Sequence, residues 1–311
     1  MDSRQLGYFR QIIDSGSLTA AARQLGIAQP SLSQHVRNLE QYLATELLLR
    51  TARGVVPTEA GRVLYDYAVQ VTDLMKSAED AVHSTGSKPV GRVSFGMPAS
   101  VSMALSIPLA ESLRLEMPEV QFCAVEAMSG HIKDLIRSNE IDLALLYDVE
   151  ELGECTSQLL LREDLWFYAA SDDWPFDTPP GVPVALSRIA DLDMVLPSKR
   201  HGLRILVDRV TRKVGIELKA RIEMDSLQQI KGLVARGSGY TILSPAAVHD
   251  MVTTGALVGS RIIEPEIERP VYLARSTRHV TAASRATETY CLEVIHDLVR
   301  RDLWKAHLVG S

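Results

Sequence analysis

Apolar positions in the first sixty residues recur at helical spacing and are interrupted by short polar or glycine-containing segments. Leu6, Phe9, Ile12 and Ile13 predict an amphipathic helix over about residues 3–14, broken by Ser15-Gly16-Ser17. Ser17 is placed to cap a second short helix, Leu18 to Leu25, whose Ala20-Ala21-Ala22 run permits close packing. Gly26 ends it where a left-handed backbone costs little. Pro30 suits the first turn of a third helix, in which Leu32, Val36, Leu39 and Leu43 form one buried stripe. Leu47 to Pro57 then reads as two short strands around Arg53-Gly54.

A long helix follows. Thr58 is a capping residue and Glu59 favours the positive end of the helix. Ala60, Leu64, Tyr67, Val71, Leu74, Ala78 and Ala81 alternate spacings of four and three, the seam of a coiled coil. Leu64, Tyr67, Val71, Leu74 and Ala78 are the candidate dimerisation residues; a surface helix packed on its own domain is the alternative. The helix runs into Gly86-Ser87-Lys88-Pro89, a linker-like break.

Beyond residue 90 strands and helices alternate. Val93 to Met97, a helix with Leu105, Leu109 and Leu113, Val120 to Val125, a helix from Ser129 to Asn139, and Ile141 to Leu146 give β-α-β-α-β, with parallel strands and right-handed crossovers. A second set comprises Leu165 to Ala169, Met194 to Leu196, a helix with Leu203, Leu206 and Val210, Ile222 to Asp225, a helix from Ser226 to Arg236, and Tyr240 to Leu243. Val271 to Leu273 and a last helix, Ala283 to Leu303, return to the first set.

The exposed face of the third helix opens with Gln29, Ser31, Ser33, Gln34 and Arg37, short or planar hydrogen-bonding groups suited to base edges and phosphates, and Pro30 among them is counted with the DNA-facing residues. Two helices around a tight glycine turn, the second polar at its start, match a helix-turn-helix. The strand pair is its wing, with Arg50 and Arg53 placed to touch phosphates. A plain helical bundle with a solvated polar face explains each element singly; the ordered series favours binding to double-stranded DNA.

Composition adjusts this picture little. The 311 residues are 46% hydrophobic and 23% charged, a soluble globular mixture with room for two or three compact units. The net charge of −6 argues against a nucleic-acid binder, but the first 57 residues carry +2 and leave −8 on the rest. No apolar run reaches the length of a membrane span, and the start lacks the pattern of a secretory signal, so a cytoplasmic protein without membrane contact is expected. Cys123, Cys155 and Cys291 are too scattered for a disulfide framework, a metal site or a redox pair, and Cys123, within a strand, reads as core.

The stretches Ser17-Leu18-Thr19-Ala20-Ala21-Ala22-Arg23-Gln24-Leu25, Gln29-Pro30-Ser31-Leu32-Ser33-Gln34, Leu39-Glu40, Leu48-Leu49-Arg50-Thr51 and Thr58-Glu59-Ala60-Gly61 resemble the head of LysR-type transcriptional regulators. Within that family Ile27-Ala28-Gln29-Pro30, Arg53-Gly54-Val55 and Leu145-Leu146-Tyr147-Asp148 are similar to the nitrogen assimilation control protein branch. The resemblance implies a winged helix-turn-helix over 1–57, a linker and dimerisation helix with a hinge over 58–89, and an effector-binding regulatory domain over 90–311. That domain would be an α/β sensor of periplasmic-binding-protein type, two Rossmann-like halves: half I about 90–163 plus 268–311, half II about 164–267. It also implies a homodimer pairing into a homotetramer, with RNA polymerase as a possible further partner.

Ligands of open α/β sheets bind beyond the carboxyl ends of the strands, which selects Ser100, Ser102, Ser129 with Gly130, Lys199, His201, Arg204 and Ser226 without reference to any family. Hydroxyls and amides at helix starts favour an anionic metabolite, with Arg204 as a bidentate partner. By resemblance, effectors of the family contact the end of the first strand, the start of the second crossover helix and the loop near His201. Each serine also reads as a simple helix cap, and His201 and Arg204 as exposed loop residues.

No nucleophile elbow, dinucleotide fingerprint, phosphate loop or zinc-protease motif is present, so neither catalysis nor a cofactor is expected. A solute-binding transport protein and an enzyme with a regulatory head are the competing classes; the first is disfavoured by the 89-residue head and linker, the second by the missing catalytic constellation.

Overall fold

The computed structural model describes residues 1–51, 54–83, 89–277 and 280–309, arranged as two compact units, Met1–Gly86 and Ser87–Ser311. In the first, helices α1 (Ser3–Ser15), α2 (Leu18–Leu25) and α3 (Gln29–Leu43) precede an antiparallel hairpin of β1 (Leu48–Thr51) and β2 (Gly54–Pro57). Ser17 caps α2 through Ala20 N at 3.4 Å, and Gly26 takes φ 68°. Gly54 is obligatory: at φ 133° an added Cβ would lie 2.2 Å from the Gly16 carbonyl oxygen, which accepts from Val55 N and ties the hairpin to the turn after α1. Glu40 Oε1 accepts from Leu47 N and Leu48 N at 2.9 and 3.3 Å, fixing the hairpin to the end of α3.

The long helix α4 (Glu59–His83) belongs to this unit. Its Leu64 and Ala68 are buried with Leu6, Phe9, Leu39 and Leu47. Arg10 donates to Thr72 at 2.8 Å and Tyr65 to Asp14 at 2.5 Å, binding α1 and α4 together. The expected linker break at Gly86-Ser87-Lys88 lies outside the described residues.

The second unit has two halves. In half I a six-stranded sheet runs in the order β14-β6-β13-β5-β3-β4. Strands β3 (Gly91–Met97), β4 (Val120–Glu126) and β5 (Leu143–Leu146) are parallel, as the alternating pattern implies; β13 (Glu268–Arg275) is antiparallel to β5 and to β6 (Thr156–Asp164), and β14 (Ala306–Leu308) to β6. Val93, Phe95 and Met97 share a core with α5 (Ala99–Glu116) and α10 (Ala282–Arg300). The opposite face takes α6 (Ser129–Arg137), where Gly96 leaves room for Ile132 and Ile141.

Half II contains β7 (Trp166–Ala170), β8 (Val184–Ala185), β9 (Met194–Leu196), β10 (Ala220–Glu223), β11 (Thr241–Leu243) and β12 (Leu257–Ile263), with α7 (Gly202–Lys213), α8 (Leu227–Val234) and α9 (Pro245–Thr253). Four strands run β11-β7-β12-β8, and the parallel pair β10-β9 joins them through a bridge between Met194 and Tyr240. The chain crosses between halves at β6–β7 and again at β12–β13, where Leu165 N donates to Ile267 O at 2.8 Å. Strands β6, β8, β12 and β14 and helix α9 go beyond the sequence-based expectation.

Candidate functional site

The DNA-facing candidates lie on α3 and the hairpin. Pro30, Ser31, Gln34 and Arg37 are exposed on one side of α3, and Gln29 is half-buried. Arg37 reaches Gln34 Oε1 through Nε at 3.2 Å and Nη2 at 2.7 Å, while Gln34 Nε2 donates to Asn38 at 2.8 Å. This chain holds planar groups on the helix surface, and it includes Asn38, which the sequence reading did not select. Ser33 differs from expectation: it is buried, and its hydroxyl accepts from Gln29 Nε2 at 2.9 Å, because it follows Leu32 onto the inward side. The start of α3 has no side-chain cap, so its first amides are open to an oxygen acceptor such as a phosphate. Arg50 pairs with Val55 across the hairpin; Arg53 lies outside the described residues.

The heptad seam of α4 divides. Leu64 is buried and Val71 half-buried against the unit's own core, whereas Tyr67, Leu74 and Ala78 are exposed, joined by Val63 and Met75. Leu64 and Val71 therefore follow the alternative of a helix packed on its own unit, while the rest of the candidate seam lies on an exposed face.

Between the halves lies a cavity of about 290 Å³. Four helices begin on its wall, and none has a side-chain cap: α5 after Pro98, α6 after Met128, α8 after Ser226 and α9 after Ser244. Each start leaves orphan N–H groups and the positive end of a dipole facing the space. The Ser244 hydroxyl is buried there without a partner. Met103, Leu203, Leu227, Ile230 and Leu243 add apolar surface, and Glu126, Asp225 and Gln228 add polar groups to the lining. The cap reading of the serines does not hold here: Ser100 and Ser129 sit within the first turn, and Ser226 occupies the cap position without making the bond.

At one end stands Arg269, buried at the start of β13. Its Nε donates to Glu163 Oε1 at 2.7 Å, its Nη2 to Ser100 at 3.1 Å, and its guanidinium lies 3.7 Å over the Tyr147 ring. Glu163 also accepts from Trp304 Nε1 at 2.9 Å, and Ser100 and Tyr147 share a hydrogen bond of 2.5 Å. Burial raises the Tyr147 hydroxyl above the usual phenol range despite the opposing Arg269 charge, so it stays protonated.

His201 lines the same cavity and caps α7, its Nδ1 accepting from Leu203 N at 3.2 Å. Desolvation holds this imidazole below its ordinary range; Asp225 opposes the shift and Arg269 adds to it. Two selected residues are not part of this wall. Ser102 is buried within α5. Arg204 is buried in α7 and committed to Asp208 at 2.8 Å, the Pro197 carbonyl at 3.3 Å and Glu223 at 3.2 Å, so it organises half II internally. Lys199 lines a separate polar hollow beside Arg204. Arg269, Tyr147, Glu163 and Ser244 were missed; Tyr147 and Ser244 follow the ends of β5 and β11, where the strand-end rule could have found them, whereas Arg269 stands at the start of an antiparallel strand, which the rule does not reach.

Among the described residues one carboxylate group, Asp164, Glu266 and Glu268, has metal-like spacing, but Arg261 pairs with Asp164 and Glu266 at 3.0 Å each. Cys123 is half-buried, with Arg92 Nη2 3.5 Å from its sulfur, where core had been expected. No helix among the described residues is long and apolar enough to cross a membrane.

A helix-turn-helix with a hairpin wing, and a two-lobed unit with a ligand-sized cleft, define a ligand-responsive DNA-binding protein. Residues 3–62 match the bacterial regulatory helix-turn-helix protein family, lysR, and residues 86–295 match the LysR substrate binding domain. The chain is 33% identical to the nitrogen assimilation regulatory protein nac of Escherichia coli (strain K12) over 299 residues, covering 95% of each chain. It is 34% identical to the protein of the same name in Klebsiella aerogenes, covering 89% of this chain and 90% of that one. A full-length OxyR from Pseudomonas aeruginosa shares the fold at a TM-score of 0.71 and 19% identity, covering 95% of this chain and 97% of that one. The chain belongs to the LysR family of transcriptional regulators: it binds DNA through the helix-turn-helix, and its regulatory domain binds a small-molecule effector. The expected likeness to the nitrogen assimilation branch is borne out by these relatives.

Proposed function

We propose that this regulator responds to a small metabolite whose anionic group is received by Arg269, Ser100 and the uncapped helix starts of the inner cavity. The observation that carries this reading is the convergence of four uncapped helices and an unpartnered buried Ser244 hydroxyl on one space. Helix starts and a guanidinium act in the same sense on a carboxylate. The apolar body of the ligand lies along Met103, Leu227 and Leu243, and Glu126 on the same wall offers an acceptor to a donor group.

The protein acts by binding, without catalysis, as a cytoplasmic dimer joined through α4 and paired further into a tetramer. Recognition helices α3 of a dimer enter successive major grooves, with Gln34, Arg37 and Asn38 toward the base edges. The effector changes DNA occupancy only if it binds the DNA-bound and free assemblies with different affinity.

The test is a thermal-shift screen of small carboxylates and amino acids on the full chain, followed by Ser100→Trp. A hit that shifts the melt of the unmodified protein but not of the variant, with operator binding intact in both, supports the reading. A hit that stabilises both equally places the ligand elsewhere and overturns it.

A further inference from the structure

A second, larger cavity of about 560 Å³ opens on the other side of Arg269. It shares with the inner one a partition of Met128, Ser129, Tyr147, His201 and Arg269. Beyond that partition its character changes. Arg200 and Arg209 of half II line it, together with Lys133 of half I. Lys133 is paired with Asp148 at 2.7 Å and Arg269 with Glu163. Arg200 and Arg209 are exposed and form no ion pair among the described residues, although Arg209 helps hold the Asp148 carboxyl below its usual range; Glu150 is the other carboxylate on the wall.

Two helix starts face each other across this chamber, one from each half. Gly130 is the second residue of α6 and Gly202 the first of α7; nothing lies within 4 Å of where a Cβ would stand on either. The α6 start has no side-chain cap, whereas in α7 the Leu203 amide is already taken by His201; at both starts the glycine leaves the backbone unshielded by a side chain. Each start adds about half a positive charge. Together with the two unpaired guanidiniums, and after Glu150, the excess approaches that needed for a dianion.

We infer that the outer chamber is a second ligand site, distinct from the inner cavity, for a phosphoryl-class dianion held between the α6 and α7 starts by Arg200 and Arg209. The guanidinium fork matches two phosphoryl oxygens at once, and the uncapped α6 amides serve the third. Because the two starts belong to different halves, a bound dianion draws them together. The shared partition makes its occupancy felt in the inner cavity. The inference rests on the cleft being a ligand site, as proposed above, but its readout, binding of phosphate, is separate from that of the carboxylate screen.

The full chain is titrated calorimetrically with inorganic phosphate, and separately with glycerol 3-phosphate, at ionic strength matched with chloride. The same titrations are run on Arg200→Ala/Arg209→Ala, whose residues are exposed and leave the fold intact, and on Gln228→Trp, which fills the inner cavity alone. Saturable binding that falls at least about tenfold in the double variant, and is kept in Gln228→Trp, is expected, since two charge-assisted bonds are lost. Tighter binding of the ester assigns the site to phosphorylated metabolites; tighter binding of phosphate assigns it to the free ion. No saturation in the unmodified protein, or equal affinity in the double variant, overturns the second site. Loss in Gln228→Trp overturns its separation from the first.

Discussion

Arg269 and Glu163 lie opposite each other in register on β13 and β6, both buried, at the point where the chain passes between the two halves. The pair therefore does two things with one guanidinium. It neutralises a carboxylate that Trp304 also holds, and it presents the remaining edge to the cleft beside Ser100. A buried pair of this kind is costly to break singly, because the surviving charge is left without compensation. Arg269→Ala is expected to lower the stability of the regulatory domain by about 3–5 kcal/mol. Arg269→Met combined with Glu163→Gln, which keeps an acceptor for Trp304, is expected to recover most of that loss yet show no ligand-induced stabilisation. Urea denaturation with and without a ligand from the screen separates the two effects.

On the DNA side, Arg37 is exposed and tethered to Gln34, whereas Ser33 is turned inward onto Gln29. Arg37→Ala is expected to weaken binding to the cognate duplex by about 1–3 kcal/mol, roughly five- to 150-fold, with a shallower salt dependence if its contact is to phosphate. Ser33→Ala is expected to change affinity little. Fluorescence anisotropy at several salt concentrations reads both, and a larger effect at Ser33 would remove the assigned orientation of α3.

The difference between these neighbours shows where the sequence was legible. The spacing of Leu32, Val36 and Leu39 fixes the buried side of α3, and the glycine and serine at its approaches fix the turn. A side chain directly after a core position, such as Ser33, sits at the edge of that stripe, and tertiary packing decides its side. In the regulatory domain the parallel β-α-β-α-β run was readable from apolar strands alternating with amphipathic helices. Strand β6, Thr156–Asp164, was not, since only part of it is buried and its apolar residues cluster instead of alternating. Losing β6 also hid Glu163, and with it the reason for Arg269. Arg204 looked available because it follows a strand end; only the fold reveals Asp208 and Glu223 already in place around it.

His201 gives the cleft a pH dependence whose sign follows from its environment. Its imidazole is desolvated and uses Nδ1 as an acceptor at the α7 cap, both of which favour the neutral form. With the folded-state pKa lowered, the unfolded chain binds the proton more readily, so stability from this group is present above the ordinary imidazole value and is lost as pH falls through the lowered one. Unfolding free energy measured between about pH 7 and pH 5 is expected to fall less steeply in His201→Asn than in the unmodified protein. Parallel curves would show that the histidine titrates alike in both states.

The two faces of α4 predict opposite outcomes for two leucines ten residues apart. Leu64 is buried with Leu6 and Phe9, so Leu64→Asp places an unpaired carboxylate in the core of the head; a loss of folding in the first unit is expected, read as loss of DNA binding together with a lower melting temperature. Leu74 is about half exposed, at 51%, on the side carrying the exposed Tyr67 and Ala78. Leu74→Asp should leave the head folded but place like charges against each other in a paired helix. Sedimentation equilibrium is then expected to show dissociation toward monomers, with the circular dichroism of the chain unchanged. Operator affinity would fall with it, since two linked heads bind a two-part site far more tightly than one. A Leu74→Asp protein that remains dimeric would place the subunit contact on another surface and leave this apolar face of α4 without a partner.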